Sequence, residues 1–200
     1  GPGTLIRTIS GECVVENLRI GDPILTVTHQ VIPVKWIGRQ TVKTRRSGPN
    51  VQPVRILSGA LGDGLPHTDL IVTAGHGMLL DGLVIDAGAL VNGHSIDWVP
   101  IADLKETVTY YHIETEDHDV ILANGTPAET FVDVAGRAGF DNYAEYIDLY
   151  GVDRIIPEMR CNRITTQRLL PNAIKTRLGI KDTGFDFGEV SVAYSVSRLT

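Results

Sequence analysis

The sequence predicts a mostly β domain over residues 1–132 and a smaller α-containing C-terminal appendage over residues 133–200. Three observations carry that prediction. From residue 4 to about residue 132 the chain is a series of short runs rich in Val, Ile, Leu, Thr and Tyr, separated by Gly, Pro, Asn and Asp. Such runs suit a pleated, half-buried surface, and the residues between them suit tight turns. Long helical periodicity is absent from this part, whereas after residue 133 apolar residues recur at helical spacing.

The strand runs follow one another as GTLIRT, ECVVENL, PILTV, PVKWIGRQTV, VQPVRI, DLIVTAG, GMLLDGLVI, TVTYYHIET and DVILANG. One short helical turn is expected at Val15-Glu16-Asn17, with Leu18 and Ile20 anchored before the Gly21-Asp22 turn. The basic run Lys43-Thr44-Arg45-Arg46 beside Ser47-Gly48-Pro49-Asn50 reads as a solvated loop. In the appendage, Phe140, Tyr143, Ala144 and Ile147 predict an amphipathic helix. A second helix is expected in TTQRLLPNAIKTRLGI, entered at Asn172 or interrupted by Pro171. The final GEVSVAYSVSRLT alternates like an exposed strand, and no internal repeat or low-complexity tract stands out.

A chain of 200 residues can hold one large domain or a domain with an appendage. Its 42% hydrophobic and 21% charged residues are those of an ordinary globular protein. A net charge of −6 argues against nucleic acid as a partner. No run is apolar enough to span a membrane, and there is no signal peptide. The two cysteines, Cys13 and Cys161, form neither a metal motif nor a disulfide framework, and free thiols are expected. Neither has the surroundings of an activated thiol, which disfavours a cysteine peptidase acting in trans. Gly1-Pro2 looks like the scar of a tag-removing protease, so the chain reads as a fragment whose upstream neighbour is missing.

Within IVTAGHGMLLDG, a threonine (Thr73) precedes a histidine (His76) by three residues at a strand end. Taken alone, Thr73 is a turn-former and His76 a surface or hydrogen-bonded histidine. Together they can also converge a hydroxyl and an imidazole on one backbone amide. Block order decides between the two readings. GTLIRTISGECVVENLRIGDPILTV, PVKWIGR, IVTAGHGMLLDG and YYHIETEDHDVILANGTPAETF, in that order, resemble the Hint superfamily of Hedgehog/intein-type autoprocessing domains, in particular its bacterial Hint branch. The resemblance covers roughly residues 3–132 and implies a horseshoe-like β fold that brings the two ends of the domain together.

The resemblance also implies a reaction. A Cys or Ser at the start of such a domain attacks the preceding carbonyl and turns a peptide bond into a (thio)ester. An amide leaves poorly unless its nitrogen gains a proton and its carbonyl is polarised. His76 would supply that proton, Thr73 would orient the scissile peptide, and His118 or Asp119 of the closing block would tune the nucleophile or the carbonyl. EDHDV also reads as a polar hairpin turn. Of the other histidines, His112, on a predicted strand between Tyr111 and Ile113, could face the site but reads better as a satisfied core residue, and His29, His67 and His94 have no motif around them.

Two departures shape the expected activity. The nucleophile, expected a few residues before Gly3, is absent, and Cys13 lies too far downstream to replace it. The chain as it stands is therefore expected to be inert. Where inteins end in His-Asn, this chain has Glu129-Thr130, neither of which can form a succinimide, so full splicing is disfavoured.

The expected function is single-turnover autocatalytic cleavage or acyl transfer of an upstream fused polypeptide, its cis substrate. The acceptor nucleophile is undetermined, and neither a cofactor nor a metal is implied. The alternative is a degenerate Hint fold serving as a structural or binding module. Localisation is unread in the residues; resemblance to a branch often fused to extracellular or surface modules suggests secretion or the surface of a bacterium.

Overall fold

The computed structural model describes residues 1–44, 52–132 and 136–181. Within them run fourteen strands and two α-helices. The strands are β1 (Leu5–Thr8), β2 (Gly11–Val14), β3 (Pro23–Leu25), β4 (Val31–Pro33), β5 (Trp36–Lys43), β6 (Val54–Ile56) and β7 (Leu70–Val72). They continue as β8 (Gly77–Leu80), β9 (Leu83–Asp86), β10 (Ile96–Trp98), β11 (Thr107–Glu114), β12 (Val120–Ala123), β13 (Thr126–Glu129) and β14 (Arg163–Ile164). The helices are α1 (Tyr143–Tyr150) and α2 (Asn172–Leu178). The chain is mostly β, as its turn-punctuated runs predict.

The largest sheet has the order β14-β9-β8-β13-β12-β1-β3-β4, with β2 paired to the free side of β1. β10-β6-β7 form a three-stranded sheet and β11-β5 a long two-stranded ribbon. Two hairpins follow directly from sequence. Asp81-Gly82 joins β8 to β9 and Asn124-Gly125 joins β12 to β13, all four residues having positive φ. That is the geometry two-residue hairpins require, and it is why Asn-Gly and Asp-Gly are found there.

Asn124 does more than turn the chain. Its Oδ1 accepts the Leu5 N–H at 2.7 Å, and its Nδ2 donates to the Asp69 carbonyl at 3.0 Å. One buried carboxamide thus ties the first strand and the entry to β7 onto the β12–β13 hairpin. Beneath these strands lies a core that includes Ile6, Ile24, Val54, Ile56, Leu70, Met78, Ile85 and Ile96.

The structure differs from the sequence expectation in several places. The turn Val15–Asn17 is a 3-10 turn with Leu18 buried beneath it, but Ile20 is 43% exposed. Helix α1 begins at Tyr143 and buries Tyr146, while Ala144, expected on its inner face, is exposed. Here ring packing overrides apolar spacing: Tyr146 meets Trp36 edge-on at 5.1 Å. Helix α2, by contrast, is entered at Asn172, as one of the two sequence readings expects. The loop from Arg45 to Asn50 and the final alternating segment lie outside the described residues.

The segment after residue 135 shares the core, since Ile164, Leu170, Ile174, Leu178 and Ile180 belong to the same cluster as the strand residues. It is also tied by charge. The Arg137 Nε donates to the Glu114 carboxylate at 2.7 Å, with both side chains fully buried.

Replacing Asn124 with Ala should cost about 2–4 kcal/mol in urea unfolding. It strands buried backbone groups at about 1–3 kcal/mol and places a Cβ-bearing residue without a local hydrogen bond in the left-handed region. A loss below about 0.5 kcal/mol would show that the tie is dispensable.

Candidate functional site

The turn between β7 and β8 carries Thr73 and His76. The His76 N–H donates to the Thr73 carbonyl at 3.1 Å, closing the turn. The next segment clamps it from outside: the Gly88 N–H donates to the Ala74 carbonyl at 2.8 Å and the Ala87 N–H to the His76 carbonyl at 3.0 Å. The backbone is fixed from both sides, and the Thr73 and His76 side chains make no hydrogen bond to other described residues. Both line an internal cavity of about 50 Å³. The same cavity is lined by Gly1, Thr4, Tyr110, His112 and Glu129, among apolar residues of the core.

Gly1 is held there by Thr4, whose Oγ1 donates to the Gly1 carbonyl at 2.7 Å. The Gly-Thr pair of the opening block therefore places the start of the chain beside His76. This follows from β1 lying against β12 and from the Asn124 tie at Leu5.

His112, read from sequence as a core histidine, is only half-buried and faces His76, with ring centroids 6.2 Å apart. Its other neighbours are the rings of Phe140 at 5.2 Å and Phe131 at 6.4 Å. Its imidazole, like that of His76, makes no hydrogen bond among the described residues. A wider cleft of about 400 Å³ touches the same two histidines and Glu129 from outside, and Asp86, Phe131, Phe140 and Arg163 line it further. The two imidazoles thus line both the small cavity and the wider cleft.

His118 and Asp119 are placed differently. Neither lines the cavity or the cleft. The Met159 N–H donates to His118 Nδ1 at 3.0 Å, so the proton sits on Nε2, which donates to Glu129 at 2.9 Å. Both ring nitrogens are therefore used in holding Glu129. Asp119 is tied through its backbone to Thr130: its N–H donates to Thr130 Oγ1 at 2.9 Å, and its carbonyl accepts the Thr130 N–H at 2.9 Å.

Glu129 is the residue that sequence reasoning passed over except as the replacement for an intein His. Its carboxylate accepts the Gly77 N–H at 2.6 Å, His118 Nε2, and both terminal nitrogens of Arg163. Gly77 has to be glycine, because a Cβ there would lie 2.6 Å from the Glu129 carboxyl group and 2.5 Å from Val84. Arg163 also pairs with Asp86 at 2.9 Å. No sequence signal marks Arg163, since it reaches Glu129 only because β14 pairs in parallel with β9.

These surroundings set the charges. Burial pushes His76 down to about 4, against an opposing pull from Glu129, and pushes His112 down to about 3. Both are neutral at neutral pH. Burial alone would raise Glu129, but hydrogen bonds from His118 and Arg163 outweigh it and hold the carboxyl at about 2. The site combines a saturated carboxylate with two neutral, unpartnered imidazoles and a free threonine hydroxyl. Such a set can pass protons. Among the described residues no cluster of His, Cys, Asp and Glu could hold a metal ion, and no helix is long and apolar enough to cross a membrane.

Residues 1–135 match the Hint domain family. The chain belongs to that family. Solved structures similar to it include a variant of the MchDnaB-1 intein, 16% identical with a TM-score of 0.48, covering 64% of this chain and 97% of that one. Another is the bacterial intein-like domain from Clostridium thermocellum, 17% identical with a TM-score of 0.47, covering 64% and 96%. No curated protein matches the chain. Membership brings the family's general kind of activity, autoprocessing, and its fold. Of the site residues discussed, Phe140, Arg163 and the Met159 amide come from beyond the matched stretch of this Hint chain.

The depressed values fix how stability follows pH. The unfolded chain takes up protons on these histidines near 6.5, before the folded chain does, so their contribution is complete above that pH and is lost as pH falls toward 4 and 3. Glu129 adds a loss of the same sign between about 4.5 and 2. The melting temperature should therefore fall steadily from pH 7 to pH 4. In a His76→Gln, His112→Gln double variant the fall between pH 6.5 and 4.5 should flatten; scanning calorimetry at several pH values would check both.

Proposed function

We propose that this Hint domain breaks the peptide bond joining it to an upstream polypeptide, through an ester or thioester made by a Cys or Ser placed a few residues before Gly3. The observation that carries the reading is that Gly1 lies in one cavity with Thr73, His76 and His112. Whatever precedes Gly1 in a longer precursor is delivered to two imidazoles that make no hydrogen bond among the described residues. Intein-like relatives act within a fused precursor, which supports a cis substrate for this chain.

In this reading the nucleophile's sulfur or oxygen attacks the carbonyl carbon of the preceding residue. Its proton is passed by imidazole to the departing amide nitrogen, and the C–N bond breaks. His76 suits the transfer because it is neutral at neutral pH and so offers one N–H and one bare nitrogen. Thr73, with its hydroxyl uncommitted, orients the scissile amide. His112, facing His76, is the second proton carrier. His118 acts behind the site by holding Glu129 in place. Asp119 has only a structural tie to Thr130, and we assign it no chemical step. The ester is then resolved by water, an amine or another nucleophile entering from the open cleft.

The reaction stops there. Glu129, its oxygens filled by four donors, cannot act as a nucleophile, and Thr130 has no side-chain amide to cyclise. The segment beyond stays attached.

A fusion with a reporter upstream and a Cys restored before Gly3 should be cut at the junction, faster with dithiothreitol. His76→Ala should slow cutting by about 10²- to 10⁴-fold, the usual loss for a general acid–base group, with its melting temperature unchanged. A folded fusion that stays intact for days with and without thiol would refute the reading. Mass spectrometry should show no fragment ending at Thr130; such a fragment would mean that splicing chemistry is present.

A further inference from the structure

Among the buried polar side chains of the described residues, the hydroxyl of Tyr110 has no hydrogen-bond partner. The residue is 3% exposed. Buried tyrosine hydroxyls are normally paired, and an orphaned one works against folding. Phe would fill the same space without that cost. Trp36 Nε1 and the Thr126 hydroxyl are also unpaired and buried, but neither residue lines the cavity or the cleft. Tyr110 does. It lines the cavity together with its strand neighbours Tyr111 and His112 and with Gly1, Thr73, His76 and Glu129.

Tyr110 stands two residues before His112 on β11, so the two side chains leave the strand on the same face. Residue by residue, β11 pairs with β5, including Tyr110 opposite Gln40 and His112 opposite Gly38, which fixes this face without slack. Burial also raises the phenol above its ordinary range, so it keeps its proton and can only serve as a neutral donor or acceptor near neutrality. Among the described residues of the site, the other uncharged hydroxyl without a hydrogen bond is that of Thr73, which the cleavage reading assigns to orienting the scissile amide. His76 and His112 are occupied with protons in transit, and the donors of Arg163 are spent on acidic partners.

We propose that Tyr110 is a further catalytic residue of this Hint domain, donating a hydrogen bond from its hydroxyl to the carbonyl oxygen of the scissile peptide as that oxygen gains negative charge. The proposal rests on the cleavage reading above. In the step, the nucleophile–carbon bond forms and the carbonyl π pair moves onto oxygen, where the phenol stabilises it. The pair then returns, the C–N bond breaks, and the nitrogen leaves with the proton that the nucleophile gave up. The phenol keeps its own proton throughout. Preorganised donors of this kind act most strongly where water is excluded. The orphaned hydroxyl is then a fold-destabilising group whose partner arrives with the substrate.

The test compares three forms of the reporter fusion with the upstream Cys restored: the parent, His76→Ala and Tyr110→Phe. Tyr110→Phe should be cut about 10²-fold more slowly than the parent, the loss typical of deleting one oxyanion donor. Its melting temperature should equal or exceed that of the parent, because a buried unpaired hydroxyl has been removed. Cutting at the parental rate would overturn the role of Tyr110 alone and leave the cleavage reading intact. A melting temperature well below that of the parent would also overturn it, by showing that the hydroxyl has a structural partner. An uncut parent would remove both proposals together.

Discussion

The carboxamide of Asn124 is the joint on which this Hint domain closes. One side chain, fixed by a left-handed turn, accepts from Leu5 and donates to Asp69, so it binds two upstream segments that lie 119 and 55 residues before it. Without it, β1 could still pair with β12 through the register contact between Ile6 and Ala123 and the Asn124 N–H bond to the Leu5 carbonyl at 2.8 Å, but the entry to β7 would lose its tie. The tie specifies where the chain start and the strand leading to Thr73 lie relative to the β12–β13 hairpin. All three converge on the cavity. The horseshoe is thus closed by polar bonds at one buried point, and the apolar core fills in behind it.

The chemistry of each group in the site follows from which partners it already has. His118 has both nitrogens committed, one to a backbone amide and one to Glu129, so it is a support. Glu129 has its oxygens filled and is held ionised, so it contributes a fixed negative field and no attack. His76 and His112 have no such commitments and are kept neutral by burial. Two histidines of identical intrinsic chemistry, His76 and His118, are in this way given different work by hydrogen-bonding alone.

That distinction explains what the sequence could and could not show. Thr73, His76 and the Asn124-Gly125 turn were legible because their signals are local: a strand end, a spacing of three, a dipeptide with a known turn. The strand character of residues 4–132 was legible for the same reason. His112 was misjudged, since its neighbours His76 and Phe140 lie far away in sequence and nothing in TVTYYHIET says which face meets them. His118 drew attention by standing in the closing block, yet its surroundings, set by Met159 and Glu129, turn it from chemistry to support. Tyr110 and Arg163 carry no local signal at all, because an orphaned hydroxyl and a parallel pairing are properties of the assembled sheet.

The same reasoning bears on the segment beyond residue 135. It lies outside the family match, and by composition it reads as an appendage, yet three independent ties bind it to the strands. Its apolar residues sit in the common core, Arg137 is buried against Glu114, and β14 covers β9, which would otherwise be the open edge of the large sheet. An exposed edge invites pairing with other chains, so covering it has value apart from any chemistry. But β14 brings more than cover. The pairing that protects β9 also places Arg163 against Glu129, and the loop leading to it presents the Met159 amide to His118. The geometry of the carboxylate beside His76 therefore depends on a strand that the β-rich domain does not itself encode, and edge protection and site construction are a single structural event.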